Sequence, residues 1–514
     1  MTGVLTVAGG IAVGAALLPE QIGVRTVSST LPATVAAPAL ACTGPETLVV
    51  PEGGAAASPG AGVLVSALLA ARGDASATVK AEGPESGTIQ ELSKTLPESD
   101  VPVHTGTQEK LTADKGEVRI GGLSTWRLGP VVTTADPDDP QELPDLAAVQ
   151  STVTTKGDLR GLSASRCDQP SSEAWLVGGG TVSGERLRLV LSNPTGTTAV
   201  VDVSVLTDEG RVDPPSGAGV VVPAHGQTPL FVDALAPGRS GVAVHVVARS
   251  GQVIARMHDA VLRGLVAGGT DVVSPGAESA KKLVIPGISL VNGYSKTADD
   301  TTAAGSTSVR VAVPGTEEAV VRLKLLGSSG EVEMPSSGVV NVPAGEVVDI
   351  PVHGLASGTY TAVVQSDVPV VAGARIGRPA AAGHKATEFG WAPSAKSLDE
   401  NGGWTMLPPG TRSTVSLVAE TKGGSLTITP VDADGEDLDE LDVTLKDGTA
   451  AAFALDEKAA AFRVSGLEGG PVAASVVATS TDDYGTAITV LGVEPARAET
   501  APSTAVADTR LGLK

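Results

Sequence analysis

The residues able to carry chemistry are few and scattered. Six histidines are present, His104, His225, His245, His258, His353 and His384. A zinc site needs ligands at short, fixed offsets so that their side chains converge on one ion, and no pair here has HxH or HxxxH spacing. His225 lies in a turn whose counterpart in an internal repeat is Gly345, so the imidazole is not part of the repeated pattern. The nucleophile and metalloprotease signatures GxSxG and HExxH do not occur. GGGTVSG at 178–184 lacks GxGxxG spacing and leads into a strand instead of a helix, so it reads as a turn and not as a dinucleotide cradle. The run DADGEDLDE at 432–440 gathers carboxylates, which raises the question of calcium. Its Gly435 comes fourth and no acidic residue closes the loop at the EF-hand position, so a solvated hairpin is expected. Arg72, Gly73 and Asp74 spell an adhesion triplet of a kind that Gly- and Asp-rich chains form by chance. On these residues no catalytic, metal or cofactor-binding site is expected, and no cofactor; His104, His225 and the acidic loops are the only material for an enzyme with scattered catalytic residues.

Composition narrows the remaining classes. The chain has 514 residues, too many for one ordinary core, which points to several domains. Its formal charge of -22 repels phosphate backbones and anionic headgroups, so nucleic acid is excluded as a partner and the membrane is met only through the amino-terminal segment. Aromatics make up only 2% of the chain, whereas glycan-binding modules present exposed rings as stacking platforms. Trp126, Trp175, Trp391 and Trp404 are the available indoles. A glycan-binding module remains the alternative function, and it would need Trp391, Trp404 or Tyr294 exposed together in a groove.

The amino terminus predicts export. No charged residue occurs between Gly3 and Leu18, and Pro19 and Glu20 bound the apolar run, which reads as a signal or membrane anchor at 1–18. No Lys or Arg precedes it, and cleaved and retained forms are both open. Residues 19–41, with Pro32 and Pro38, suit a flexible spacer. Ala39, Leu40 and Ala41 before Cys42 resemble a small-residue cleavage site and, superficially, a lipidation site. Cys42 and Cys167 are the only cysteines, and each stands shortly before a segment that opens a repeat. In an oxidising compartment one disulfide is the most economical reading; two buried thiols or a redox pair are the alternatives.

Internal repeats carry the architecture. VSVLTDEG at 203–210, VVVPAHG at 220–226, ALAPG at 234–238 and VIARM at 253–257 recur in order as LKLLGSSG at 323–330, VNVPAGE at 340–346, GLASG at 354–358 and VAGARI at 371–376. That alignment places Arg256 and Arg375 at one repeat position, where a structural role is expected. Four short apolar openings, LVVPEGG from Leu48, WLVGGG from Trp175, LVIPG from Leu283 and TMLPPG from Thr405, mark four units. Alternating strands follow them, RLRLVLSNP from Arg186, SVRVAVPG from Ser308 and STVSLVAE from Ser413, and alternation at period two predicts one buried and one wet face. The expected fold is all-β, with about four tandem immunoglobulin-like β-sandwich units at 42–166, 167–275, 276–398 and 399–493, each with an independent core, and a disordered tail at 494–514. An acidic, proline-rich stretch, DPDDPQELPDL at 136–146, should be a solvated loop of the first unit. A propeller is the competing architecture, but its blades are less than half this period.

RCDQPSSEAWLVGGG at 166–180, the following RLRLVLSNPTGTTAVVDVSVLTDEG and VPAHG resemble an uncharacterised family of secreted or membrane-anchored β-rich actinobacterial proteins, a domain of unknown function. The resemblance extends from Cys42 to about Val493 and implies an envelope setting. Members of that family are often encoded beside a membrane glycosyltransferase, which implies such an enzyme as the envelope partner. Together, residues and resemblance lead to the expectation of a non-enzymatic, extracytoplasmic structural or interaction protein of the cell envelope.

Overall fold

A computed structural model describes residues 30–31, 39–45, 60–61, 63–83, 89–90, 100–291, 306–334, 338–420, 422–495 and 505–506. The apolar run at 1–18, the opening at Leu48 and Tyr294 lie outside them. Residues 37–498 form one compact unit. Residues 1–36 and 499–514 group separately, and there Thr30–Leu31 pairs antiparallel with Ala505–Val506.

The chain is nearly all β, as the alternation and the abundance of valine and threonine require. Among the described residues the only helical elements are a turn at Val232–Leu235 and a 3-10 turn at Pro215–Gly217, neither long enough to cross a membrane. The sheets follow chain order, and in each stretch two β layers share a hydrophobic cluster in a sandwich-like manner. In the first segment, Ala39–Cys42, Val131–Pro137, Ala75–Ala81 and Gln108–Ala113 face Gly161–Arg166, Asp145–Thr154, Val63–Ala70, Val118–Thr125 and Val103–Thr105. In the second, a sheet built on Val242–Ser250 and Ala199–Thr207 faces one built on Glu185–Asn193, Ile254–Arg263 and Val266–Val273. In the third, the 21-residue strand Gly358–Arg378 pairs with Ala280–Leu290 and Ala319–Gly327 along its first half and with Ser308–Ala312 and Glu388–Pro393 along its second. In the fourth, Val472–Asp482, Arg412–Ala419 and Gly485–Gly492 face Ala461–Gly469 and Gly424–Val431.

The segments are not independent. Their last strands, Gly161–Arg166, Val266–Val273, Glu388–Pro393 and Gly485–Gly492, touch in the order first to second, second to third, third to fourth, and fourth back to first. A string of tandem units would leave the last contact unmade; here the path closes into a circle. Three of the four cores borrow from a neighbour. Phe389 and Trp391 of the third segment belong to the second segment's cluster, Ile488 and Val490 of the fourth to the third's, and Leu68, Ile120 and Val149 of the first to the fourth's.

Strands such as Ala75–Ala81 and Ala319–Gly327 keep the expected wet face, but closure removes it from others. Every residue of Val63–Ala70 is buried, as is every residue of Ser308–Ala312. The polar positions Arg188, Ser192, Ser308, Arg310 and Ser416 are buried as well. In these strands alternation made the two faces chemically different, but the polar face meets other parts of the protein instead of water. Glycines permit the approach. A Cβ on Gly390 would stand 2.9 Å from the carbonyl oxygen of Ile488, and one on Gly373 would stand 2.7 Å from that of Val177. We expect Gly390→Ala to destabilise by about 1–3 kcal/mol through forced overpacking. Gly315→Ala, where a Cβ meets nothing within 4 Å, is the control. Urea midpoints for both variants check this, and equal midpoints would contradict the close approach.

Other boundaries shift for identifiable reasons. Ala39–Cys42 is not spacer but a strand hydrogen-bonded to Val131–Pro137. Cys42 is bonded to Cys167, which rules out a lipid at that position and is consistent with an extracytoplasmic location. Within the acidic stretch at 136–146, the ends join strands and the turn between them is solvent-facing. Glu494 belongs to the folded body and not to a tail, because its carboxylate pairs with Arg166 at 2.8 Å and Lys396 at 3.2 Å. Arg256 and Arg375 are not equivalent. Val190 and Arg310 occupy one repeat position, opposite Pro229 and Asp349, yet Val190 faces Arg256 across the ladder whereas Arg310 faces Gly373. Arg375 therefore corresponds to His258, opposite Ser308 and Arg188 respectively. The second segment breaks its strands at Gly251, where φ is 73°, and the third runs through unbroken, which changes the register.

Candidate functional site

Within the circle, the buried polar residues lie in three layers along its axis. The first layer stands where the four last strands begin. Arg160, at the entry to Gly161–Arg166, donates from Nη1 to Glu388 and from Nη2 to Asp482, and its guanidinium lies 5.0 Å from the centre of the Tyr484 ring. Three segments thus meet on one cation. Glu388 is 2% exposed; burial pushes its carboxyl up to about 8, against the pull of Arg160. Its Oε2 is buried without a hydrogen-bond partner among the described residues, over the bare Cα of Gly161.

The middle layer is a pair of aspartates capped by a tryptophan. Asp259 and Asp271 are cross-strand partners in the hairpin formed by Ile254–Arg263 and Val266–Val273. On the same face as Met257, Val261 and Val273, they project toward the second segment's core, where a carboxylate is out of place by polarity alone. Trp391 closes over both: its backbone N–H donates to Asp271 Oδ2 at 2.7 Å and its indole Nε1–H to Asp259 Oδ2 at 2.9 Å. The Thr489 hydroxyl donates to Asp271 Oδ1 at 2.8 Å, which brings the fourth segment to the same carboxylate. Burial raises Asp259 to about 7, with Glu185 adding to the rise and Trp391 opposing it. Burial holds Asp271 well above the usual carboxylate range. Arg310 flanks this layer 5.1 Å from the Trp391 ring, and Arg375 lies 4.6 Å from that of Phe389. Arg310 donates to Asp349 at 2.7 and 2.8 Å, to Ser240 O at 3.2 Å and to Gly179 O. Burial works against its charge, but Asp349 outweighs burial and raises its pKa.

The third layer adjoins the disulfide. Arg166 pairs with Asp168 at 2.9 Å and with Glu494, and Arg256 donates to Asp168 and to Arg166 O. Burial raises the Asp168 carboxyl, but Arg166 and Arg256 outweigh it and hold it below its ordinary value. Cys167 stands between Arg166 and Asp168, so the bridge from Cys42 fixes the backbone on which this layer is built.

The histidines do not gather. His104 and His225 are exposed and face Glu109 at 3.9 Å and Glu82 at 2.9 Å. His225 and Gly345 share a left-handed backbone, φ 52° and 76°, so the turn conformation is repeated although the side chain is not. His245 stacks on Trp175 with centroids 4.0 Å apart. His258 lines a cavity of about 20 Å³ between the first and second segments, beside Gln150, Ser163, Ser165 and Thr270, with room for about one water. Trp391 is buried and Trp404 half-buried beneath Arg463, so these two indoles do not form an open platform. The acidic run at 432–440 satisfies itself: Asp432 accepts the backbone N–H groups of Asp434 and Glu436, each at 3.0 Å. Among the described residues no group of three or more His, Cys, Asp or Glu is arranged to hold a metal. The glycine turn at 178–184 does have a partner, since Gly179 O receives Arg310 and Gly178 lies against the Trp391 ring.

Asp259, Asp271, Glu388 and Arg160 are scattered along the chain, so no spacing in the sequence marks them as a group. The available signal was strand-interior glycine beside them, Gly269 and Gly390, which marks close backbone approach. The model of a family of unknown function (DUF5719) matches residues 127–456, from the later strands of the first segment into the fourth. No curated protein matches the chain.

Proposed function

The chain belongs to the family of unknown function DUF5719, and for this member we propose a non-enzymatic structural and interaction role in the cell envelope, outside the cytoplasmic membrane. The observation that carries the reading is the use made of the buried charge. The axial carboxylates and arginines face one another across segment boundaries and hold four sandwich-like segments, read as immunoglobulin-like units, in one fixed arrangement. Such a body acts by presenting surface. Four corresponding hairpin turns lie at the end of the axis where the last strands begin: 155–160, 264–265, 379–387 and 483–484. They include exposed Leu265 and Tyr484, with His384 edge-on to Tyr484 at 4.8 Å. We read this crown as the partner-facing end. The resemblance at 166–180 supports an actinobacterial envelope and a membrane glycosyltransferase as the partner, with attachment through residues 1–18.

In intact cells, a photo-crosslinking residue at position 265 or 484 should give one discrete adduct with a membrane protein. The same residue at Phe231, exposed elsewhere, should not. Leu265→Asp should abolish the adduct without a measurable change in stability, because Leu265 is fully exposed. A chain found reduced in the cytoplasm, or adducts of equal yield at all positions, would sink the proposal. The exposed Tyr484 and His384 pair favours a glycan-binding module as the second reading. That reading requires Tyr484→Ala to lose binding to isolated envelope glycan.

A further inference from the structure

We propose that Asp259, Asp271 and Glu388 form a proton-held latch at the axis: while they keep their protons the four last strands stay closed on one another, and ionisation loosens them. The geometry is one-sided in a way that decides the sign. The donors that reach Asp259 and Asp271 are neutral, namely the Trp391 backbone N–H and indole, the Val272 backbone N–H and the Thr489 hydroxyl. Charged groups face the latch from every packed element. They are Glu185 from the paired strand Glu185–Asn193, Arg263 from the strand of Asp259 itself, Arg310 and Asp349 from the paired strands of the third segment, Arg375 from Gly358–Arg378, and Arg160 and Asp482 from the first and fourth segments.

Of the cations among them, Arg160 touches the latch at Glu388, whereas Arg310 and Arg375 are engaged elsewhere. Arg310 is committed to Asp349 and two carbonyls, and Arg375 donates to Ser306 O and lies over Phe389. Arg160 is shared between Glu388 and Asp482. Ionisation of Asp259 and Asp271 would therefore place two adjacent negative charges on one hairpin, in an apolar pocket, without a cation in hydrogen-bond contact. The unpartnered oxygens of Asp259 and Glu388 are where protons fit.

The raised carboxyls, about 7 for Asp259 and about 8 for Glu388, with Asp271 well above its ordinary value, set the window. Once the strands part, these groups return toward 3.8 for aspartate and 4.5 for glutamate. The closed form then binds more protons than the open form between those limits. Closure is strongest below the lower limit and weakens as pH rises through about 7 to 8.

The test is hydrogen–deuterium exchange of the full oxidised chain at about pH 5.5 and about pH 8.5, each corrected for intrinsic chemical exchange. Peptides covering Val266–Val273 and Glu388–Pro393 are compared with the Ala461–Gly469 strand. Opening at the two axial strands should rise on the order of tenfold or more per carboxylate between the two conditions, while the reference strand stays level. In Asp259→Asn and Glu388→Gln the rise should shrink and closure at the alkaline condition should exceed that of the parent. An unchanged pH dependence in both variants overturns the latch. So does equal loosening of both variants at the two conditions, because that outcome assigns the carboxylates a purely geometric part.

Discussion

Replacing Cys42 and Cys167 by serine is expected to destabilise the chain by about 5 kcal/mol on the chain-entropy model, because the bridge closes a loop of 125 residues. The loop entropy is only part of the reason. Cys167 lies between Arg166 and Asp168, which join the first segment to Arg256 of the second and to Glu494 at the end of the fourth. The bridge also holds Ala39–Cys42 on the edge of its sheet, where Ala41 and Asp168 exchange backbone hydrogen bonds at 2.8 and 3.0 Å. Loss of the covalent tie frees the strand and the junction together. Urea unfolding of the oxidised parent, the reduced parent and the double serine variant measures the effect. The two bridge-less forms should agree, and a difference from the parent under ~1 kcal/mol would show that the junction does not depend on the bridge.

Trp391→Ala should cost nearly as much, about 3–5 kcal/mol, through two separable effects. One is the cavity left beside Phe389, Leu187 and the glycine turn at 178–179, which the indole fills. The other is the loss of the indole donor to Asp259, a buried carboxyl whose other oxygen is unpartnered. Trp391→Phe keeps much of the volume and deletes only the donor, so it should fall between parent and alanine at about 1–3 kcal/mol. Calorimetry on the three proteins orders them. Phenylalanine indistinguishable from the parent would mean that the indole N–H does not matter and that Trp391 is a packing residue alone.

Much of the local structure was legible in the sequence because it is locally encoded. Alternation and turn residues gave the all-β character, and the acidic run at 432–440 forms the self-satisfied hairpin that its composition suggested. Cys42 and Cys167 pair as their matched placement implied. What escaped was the identity of the material covering the polar face of the strands that are buried throughout. Arg310, Ser308 and Ser192 look solvent-facing because period two reports only that two faces differ. Arg310 reaches Gly179 O, 131 positions away, and Ser192 reaches Thr43 O, 149 positions away, each in another segment. No window of residues contains both ends of such a contact. Asp259 and Asp271 sit in strands of ordinary composition, and the indole of Trp391, 132 positions from Asp259, and the hydroxyl of Thr489, 218 positions from Asp271, make them a site. The repeat alignment misplaced Arg375 for a related reason: an unbroken 21-residue strand replaces a broken one, and the shift of register shows in the ladder, not in the letters.

The central claim is that the fourth segment returns to the first and closes the circle. A double-mutant cycle on Arg160→Met and Asp482→Asn, residues 322 positions apart whose side chains meet at the axis, tests it most directly. Closure predicts a stabilising coupling of about 1–3 kcal/mol between the two sites. Additive single effects, with a coupling within ~0.3 kcal/mol of zero, would mean that the two segments do not touch there and that the circle is open.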